Sequence, residues 1–258
     1  MLPDRRRKRL LDILTHDGGA DVATLAEALD ASHATVRRDL HLLEQQGHLK
    51  RIRGGAVLPY QSSAFFPLAE SKAREHFEEK LAIARVASQR VTNGEVIILD
   101  SGSSALLLAR ELKSRRDLTV ITTDLKIALE LSDVPNFNVV SVGGTVIRDN
   151  YNVGGMIAEN TLKTLHAHHA FVGADGIDLV AGMTSSRIHQ APIKRLVMAC
   201  SNRVTLIADH SKFGRVHLIK VADLAEFDGM ITDDGLDPAQ AEDYLDAGIA
   251  LTLAPRSH

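Results

Sequence analysis

The chain has 258 residues, 45% of them hydrophobic, a net charge of −3 at pH 7 and a single cysteine. That length holds one large or two ordinary domains with ample core. No apolar run reaches membrane-spanning length, the Arg-rich start lacks the apolar stretch of a signal peptide, and one cysteine excludes an intrachain disulfide. The expectation is a cytoplasmic protein with no membrane partner, in which Cys200 is a buried structural thiol. Residues 1–55 carry ten Lys/Arg against eight Asp/Glu, so the N-terminal part is mildly basic and the rest acidic.

Leu10, Leu11, Ile13 and Leu14 make an amphipathic helix, with Arg5–Arg9 as its first turns and a C-cap signal at Asp17-Gly18-Gly19. Val22–Leu29 is a short second helix, and Asp30-Ala31 is a tight connection. Ser32 then suits an N-cap, its hydroxyl accepting from the Thr35 backbone N–H or its neighbour. Val36, Leu40 and Leu43 recur at i, i+4, i+7 and make one apolar stripe, while Ala34, Arg37, Arg38 and His41 take the other face. Gln46-Gly47 ends that helix. His48 to Arg53 alternates apolar with basic before Gly54-Gly55, which reads as a two-stranded wing with Leu49 and Ile52 turned inward. Two helices, a capped third helix and a basic wing make a winged helix-turn-helix. Small and polar residues at a recognition-helix start meet base edges, and arginines hold phosphates or guanines. The expected DNA contacts are therefore Ser32, His33, Ala34, Thr35, Arg37, Arg38 and His41, with Lys50, Arg51 and Arg53 on the wing.

Thr35-Val-Arg-Arg-Asp-Leu40, with Leu43-Glu44 and the Gly54-Gly55 exit, resembles the N-terminal domain of the DeoR family of bacterial transcription regulators, from about Arg5 to Val57. The organisation expected is a DNA-binding domain at 1–57, a linker at 58–75 and a second domain at 76–258. Pro59, Tyr60 and Pro67 break the pattern in the linker, whose Phe65-Phe66 pair docks on a domain.

A long helical pattern runs from Ser71 to Val91, and strands then alternate with helices. The strands are read at 95–99, 118–121, 137–142, 170–173 and 203–208, with last core strands at 217–221, 229–232 and 249–252. Helices are read at 104–112, 124–131, 157–165, 192–200 and 238–245. Such alternation makes a mostly parallel sheet covered on both faces, so the fold class is α/β.

Ligands in these sheets sit beyond the carboxyl ends of the strands. Asp100-Ser101-Gly102-Ser103-Ser104 joins a strand to a helix, and its N–H groups and hydroxyls suit a phosphate. Thr122-Thr123-Asp124, Gly143-Gly144, the carboxylates and glycine Asp175, Gly176 and Asp178, and the lysines Lys194 and Lys212 fall at corresponding strand ends. A Ser/Gly turn alone is usually only a turn; several at one end of one sheet make an anion-binding cleft the better reading. Lys194, opening the helix after Pro192, is read as the countercharge.

Asp100-Ser-Gly-Ser-Ser104, Gly143-Gly144, Gly173-Ala-Asp-Gly-Ile-Asp178, Lys194-Arg195 and Asp209-His-Ser-Lys-Phe-Gly214 are similar to the DeoR-type sensor domain, over about Glu70 to Thr252. The resemblance implies a fold like ribose-5-phosphate isomerase and a phosphorylated sugar or polyol as effector. It departs where family members commonly carry a Glu-Glu pair: His189-Gln190 stands there. Gly154-Gly155 stands where Gly-Pro is usual. The expected function is a repressor of a carbohydrate-metabolism operon, acting as a homo-oligomer, a dimer or higher even state, because one winged helix reads few base pairs. The alternative is an isomerase-like enzyme with a DNA-binding appendage; the position that would supply its glutamate reads His189-Gln190, and a histidine can also act as a base. No catalytic residues, cofactor or metal site are expected: His166, His168 and His169 read as water-facing residues at a helix end, and no i, i+4 metal spacing is present.

Overall fold

The computed structural model describes residues 3–17, 19–45, 48–52, 54–57, 69–147 and 151–256. Gly18, the helix stop Gln46-Gly47, the wing residue Arg53, the side chains of Lys50 and Ile52, and Phe65-Phe66 lie outside what is described. The chain forms two compact units, Met1–Pro67 and Leu68–His258. Among the described residues no helix is long and apolar enough to cross a membrane.

The first unit runs α1 (Pro3–Asp17), β1 (Gly19–Asp21), α2 (Val22–Ala28), α3 (His33–Gln45), β2 (Lys50–Ile52) and β3 (Gly55–Val57). Val36, Leu40 and Leu43 are buried against Leu10, Leu14, Leu25, Leu29 and Leu49, as the stripe requires. Asp21 caps α2, accepting from the Thr24 N–H at 2.8 Å, and Ser32 caps α3 from the Thr35 N–H at 3.2 Å. The wing has three strands rather than two, ordered β1-β3-β2. The added strand, Gly-Ala-Asp, is too short to show alternation. A Cβ on Gly55 would fall 2.3 Å from the Ala20 carbonyl oxygen, so only glycine lets β3 lie against β1.

The second unit opens with α4 (Ala69–Arg74) and α5 (Phe77–Ser88). Residues 69–74, expected in the linker, are thus helical, and the single helix expected over Ser71–Val91 is broken. His76 between the two pieces takes a left-handed φ of 51°. Then follow β4 (Val96–Leu99), α6 (Ser103–Glu111), β5 (Thr119–Thr122), α7 (Leu125–Leu131) and β6 (Asn138–Ser141). A hairpin of β7 (Thr145–Ile147) and β8 (Asn152–Gly154) leads to α8 (Met156–Leu162) and β9 (Ala167–Gly173). The rest is β10 (Gly176–Asp178), β11 (Gly182–Ser185), α9 (Gln190–Ala199), β12 (Ser201–Ile207), β13 (Ile219–Ala222), β14 (Gly229–Asp233), α10 (Pro238–Asp246) and β15 (Leu251–Ala254).

Seven strands form one parallel sheet, ordered β15-β14-β12-β9-β4-β5-β6. Successive side chains of a strand point to opposite faces. Ile97 and Leu99 accordingly join one core, with Ile83, Leu108 and Ile127 of α5, α6 and α7, while Ile98 joins the other, with Ala158 and Val197 of α8 and α9. The strand expected at 217–221 is not in this sheet; as β13 it belongs to a small antiparallel sheet, β10-β11-β13. His166–His169 was expected at a helix end but leads into β9. His169 is buried there, its Nε2 2.8 Å from Thr205 Oγ1, while His168 Nδ1 accepts from the Val96 N–H. Cys200 is buried, its thiol donating to the Val197 carbonyl. Burial raises its pKa.

Candidate functional site

The chain turns to opposite sides of β4: β5 lies on one flank and β9 on the other. A crevice opens outside the carboxyl ends at such a switch point. Asp100, the residue after β4, is buried at its base. Its Oδ2 accepts from the Gly173 N–H at 3.1 Å and from the Lys194 ammonium. Lys194 also donates to the Gly173 carbonyl at 2.7 Å. The lysine lines the crevice, buried and paired rather than standing as an open countercharge. Helix α9 starts at Gln190, two residues before Pro192, which sets Lys194 a full turn inside the helix.

The Ser101–Ser104 turn leads into α6 with Gly102 at φ 130°, and no side chain caps this helix. A φ of that kind favours glycine and leaves room for a ligand against the backbone. Asp124 reaches across: Oδ2 accepts from the Gly102 N–H at 3.1 Å, while Oδ1 accepts from Lys126 and Ile127 N–H groups at the start of α7. Burial raises the Asp124 carboxyl pKa, against the pull of those backbone donors. Thr122 donates its hydroxyl to the Leu99 carbonyl at 2.8 Å and accepts from the Asp124 N–H. Thr122 and Asp124 are thus spent on building the crevice.

Asn152 on β8 was not singled out from the sequence. Its Nδ2 donates to Ser101 Oγ at 3.2 Å. Its Oδ1, like Thr123 Oγ1, is buried without a hydrogen-bond partner among the described residues. A narrow crevice is lined by Asp100, Ser101, Asn152, His189, Gln190 and Lys194, with Ile147 and Ile193 as an apolar wall. The His-Gln pair noted as a departure therefore faces the cleft. Asn152 gave no signal in sequence because its strand is three residues long and is held by a hairpin and by a bridge to the distant Asp124.

The remaining candidates are dispersed. Gly144 packs its backbone against the hairpin: a Cβ there would meet the Gly154 carbonyl oxygen at 2.7 Å, whereas Gly143 borders open space. Asp175 binds Lys72 at 2.8 Å and accepts from the Ser185 and Ser186 hydroxyls and the Ser186 N–H. Burial pushes its pKa up, but Lys72 and the Ser186 donors outweigh this and hold the carboxyl well below the usual range. Gly176 pairs with Thr184 in β10–β11. Asp178 caps the turn at Val180 and Ala181, and Lys212 pairs with Asp209 at 3.3 Å. Ser185 links Asp175 to Gln190 at the cleft, Ser185 Oγ donating to Gln190 Oε1 at 3.4 Å.

In the first unit Ser32, His33, Ala34, Arg37, Arg38, His41 and Arg51 are exposed and Thr35 is partly so. Asp39, on the inner side of α3, is buried and takes Arg6 at 2.6 Å and Arg7 at 3.8 Å. Two members of the basic cluster at the start of α1 therefore brace the recognition helix. The Arg51 backbone N–H donates to Glu44 at 2.8 Å, tying the wing to the end of α3.

Residues 75–234 match the DeoR C terminal sensor domain and residues 6–62 the DeoR-like helix-turn-helix domain. The chain belongs to the DeoR family. Similar family members include the HTH-type transcriptional regulator GolR of Listeria innocua, 34% identical over 98% of this chain and 100% of that one. The HTH-type transcriptional regulator GlpR of Haloferax volcanii is 32% identical over 97% of this chain and 98% of its own. The glycerol-3-phosphate regulon repressor of Escherichia coli is 30% identical over 90% and 92%. Among solved structures, ribose 5-phosphate isomerase A of Methanocaldococcus jannaschii aligns over 54% of this chain and 55% of its own at TM-score 0.41 and 21% identity, which transfers no chemistry. This DeoR-family chain is a DNA-binding transcriptional regulator and not an isomerase: full-length relatives are named regulators, and the helix-turn-helix occupies its N-terminal part.

Proposed function

We propose that this DeoR-family protein is a cytoplasmic repressor of a carbohydrate-metabolism operon whose operator affinity is set by a phosphorylated sugar or polyol bound at the switch-point cleft. The observation that carries this reading is the buried, unpartnered Asn152 Oδ1, on a side chain bonded to Ser101 at the uncapped start of α6. Buried polar atoms without partners cost free energy, and a hydroxylated ligand or its bound water supplies the missing bonds. The phosphate takes the N–H groups and hydroxyls of Ser101 to Ser104, where the helix terminus favours an anion. Asp100, Asn152 and Gln190 are then placed for the hydroxyls. The glycerol-3-phosphate regulon repressor among its relatives supports this ligand class.

The operator is read by α3, with Ser32 to Thr35 at the base edges and Arg37, Arg38 and His41 beside them, and by the wing through Lys50, Arg51 and Arg53. One such domain reads few base pairs, so the working species is a homo-oligomer carrying paired recognition helices. The test is a thermal-shift panel of pentose, hexose and polyol phosphates, followed by operator gel shifts with any hit. A ligand at one hundred times its Kd stabilises the protein by about 2.7 kcal/mol. A panel in which unphosphorylated sugars shift the protein as far as their phosphates overturns the proposed effector class.

A further inference from the structure

His210 follows β12 and is held by Asp233 at the end of β14. Its Nδ1 lies 2.7 Å from Asp233 Oδ2, and its backbone N–H donates to Oδ1 at 2.8 Å. Asp233 is fully buried. A carboxylate accepting from Nδ1–H fixes the imidazole tautomer and leaves the Nε2 lone pair available. Metal-ligating histidines are oriented by this kind of contact.

Two further donors stand beside it. His76 presents its ring edge-on to His210, with centroids 5.2 Å apart. Glu79, one helical turn along α5, places Oε1 3.9 Å from His76 Nδ1. One ligand-capable atom from each of His76, Glu79 and His210 lies within 4.8 Å of the other two. A tetrahedral zinc with bonds of about 2.0–2.2 Å keeps its ligand atoms roughly 3.3–3.5 Å apart, which small side-chain rotations reach from here. His76 also takes a left-handed backbone, φ 51°, at the start of α5. Arg256 approaches Glu79 at 3.5 Å but is tied more closely to Asp234, at 2.6 Å.

We infer that His76, Glu79 and His210 form a binding site for one divalent transition-metal ion of the zinc type, with its fourth position open. Two imidazoles and one carboxylate suit zinc, cobalt or nickel and disfavour magnesium and calcium, which take oxygen donors. The sequence reading weighed only the His166–His169 tract and expected no metal. The ligands here come from one helix start and one distant loop, which no local spacing reveals. The bound ion ties the start of α5 to the segment after β12.

The test uses the untagged full-length protein after chelation and dialysis. Zinc titration by calorimetry gives one saturable site per chain, magnesium gives none, and cobalt produces a visible d–d band. His210→Ala and His76→Ala each weaken zinc at least tenfold, and Asp233→Asn weakens it tenfold to a hundredfold through loss of the second shell. His166→Ala, at an exposed histidine elsewhere, leaves binding unchanged. Circular dichroism melts of the metal-free proteins confirm that each variant is folded, and Glu79→Gln serves where one is not. Equal zinc affinity in wild type and His210→Ala, or no saturable zinc uptake by the wild type, overturns the site.

Discussion

Lys194 holds the Asp100 carboxylate and, 2.7 Å away, the Gly173 carbonyl, so one ammonium joins α9 to the ends of two neighbouring strands. Both partners are buried. Removing one member of such a pair leaves an uncompensated charge, at a cost of about 3–5 kcal/mol. Lys194→Met should therefore lower stability to urea by that order, more than the loss of a surface ligand contact would. The double variant Asp100→Asn/Lys194→Met should recover much of it. A Lys194→Met protein as stable as wild type would break the pairing argument.

Asn152 offers the opposite case. Its amide already donates to Ser101 while its oxygen waits for a donor. Asn152→Ala should leave the unfolding midpoint nearly unchanged and weaken effector binding about tenfold, the worth of roughly one hydrogen bond. Calorimetry with the best ligand of the panel decides this. Unaltered affinity would move the ligand away from β8.

Arg37 and Arg38 lie on the exposed face of α3, clear of the Val36–Leu40–Leu43 core. Arg37→Ala/Arg38→Ala should abolish specific operator binding while the circular dichroism melt stays in place. Arg51→Ala should weaken all DNA sequences alike and reduce the salt slope by about one unit. Arg6→Ala, by contrast, should destabilise the first unit, since Arg6 is bonded to Asp39.

His169 gives a signature in acid. Burial, reinforced by Arg203, pushes its imidazole down to about 4. In the unfolded chain it titrates near 6.5, so below that pH the unfolded state binds more protons than the folded one. The stability contributed by neutral His169 is complete above pH 6.5, falls as pH drops towards 4 and levels off below. The loss is on the order of 3 kcal/mol. His169→Gln, which can still bond Thr205, should lack this part of the pH dependence. Parallel stability curves for the two proteins would contradict it.

Helix α3 was legible because three leucine-sized contacts and one cap are local in sequence, and each landed where spacing put it. The parallel sheet was legible for the same reason: Val96–Leu99 is an apolar run, and Val120-Ile121, between threonines, and the 204–207 end of β12 are short, mostly apolar stretches. What escaped were three-residue strands, β1, β7, β8 and β10, whose identity depends on partners brought in by tertiary structure. Asn152 escaped with them. Lys194 was read as an open countercharge, and its pairing with Asp100, ninety-four residues away, leaves no trace in local sequence. Asp178 and Lys212 were grouped with the cleft because strand-end position does not encode direction, and their side chains turn to a local turn and to Asp209 instead.

Asp124 spans two helices with one carboxylate, one oxygen on the Gly102 N–H before α6 and the other on the first turn of α7. The starts of these helices are consequently yoked. A change in the Ser101–Ser104 turn must therefore be matched at the head of α7, or one of these bonds is lost. The outer face of α7 carries Leu129, which is three-quarters exposed. The helix that shares Asp124 with the cleft thus also turns an apolar side chain to solvent.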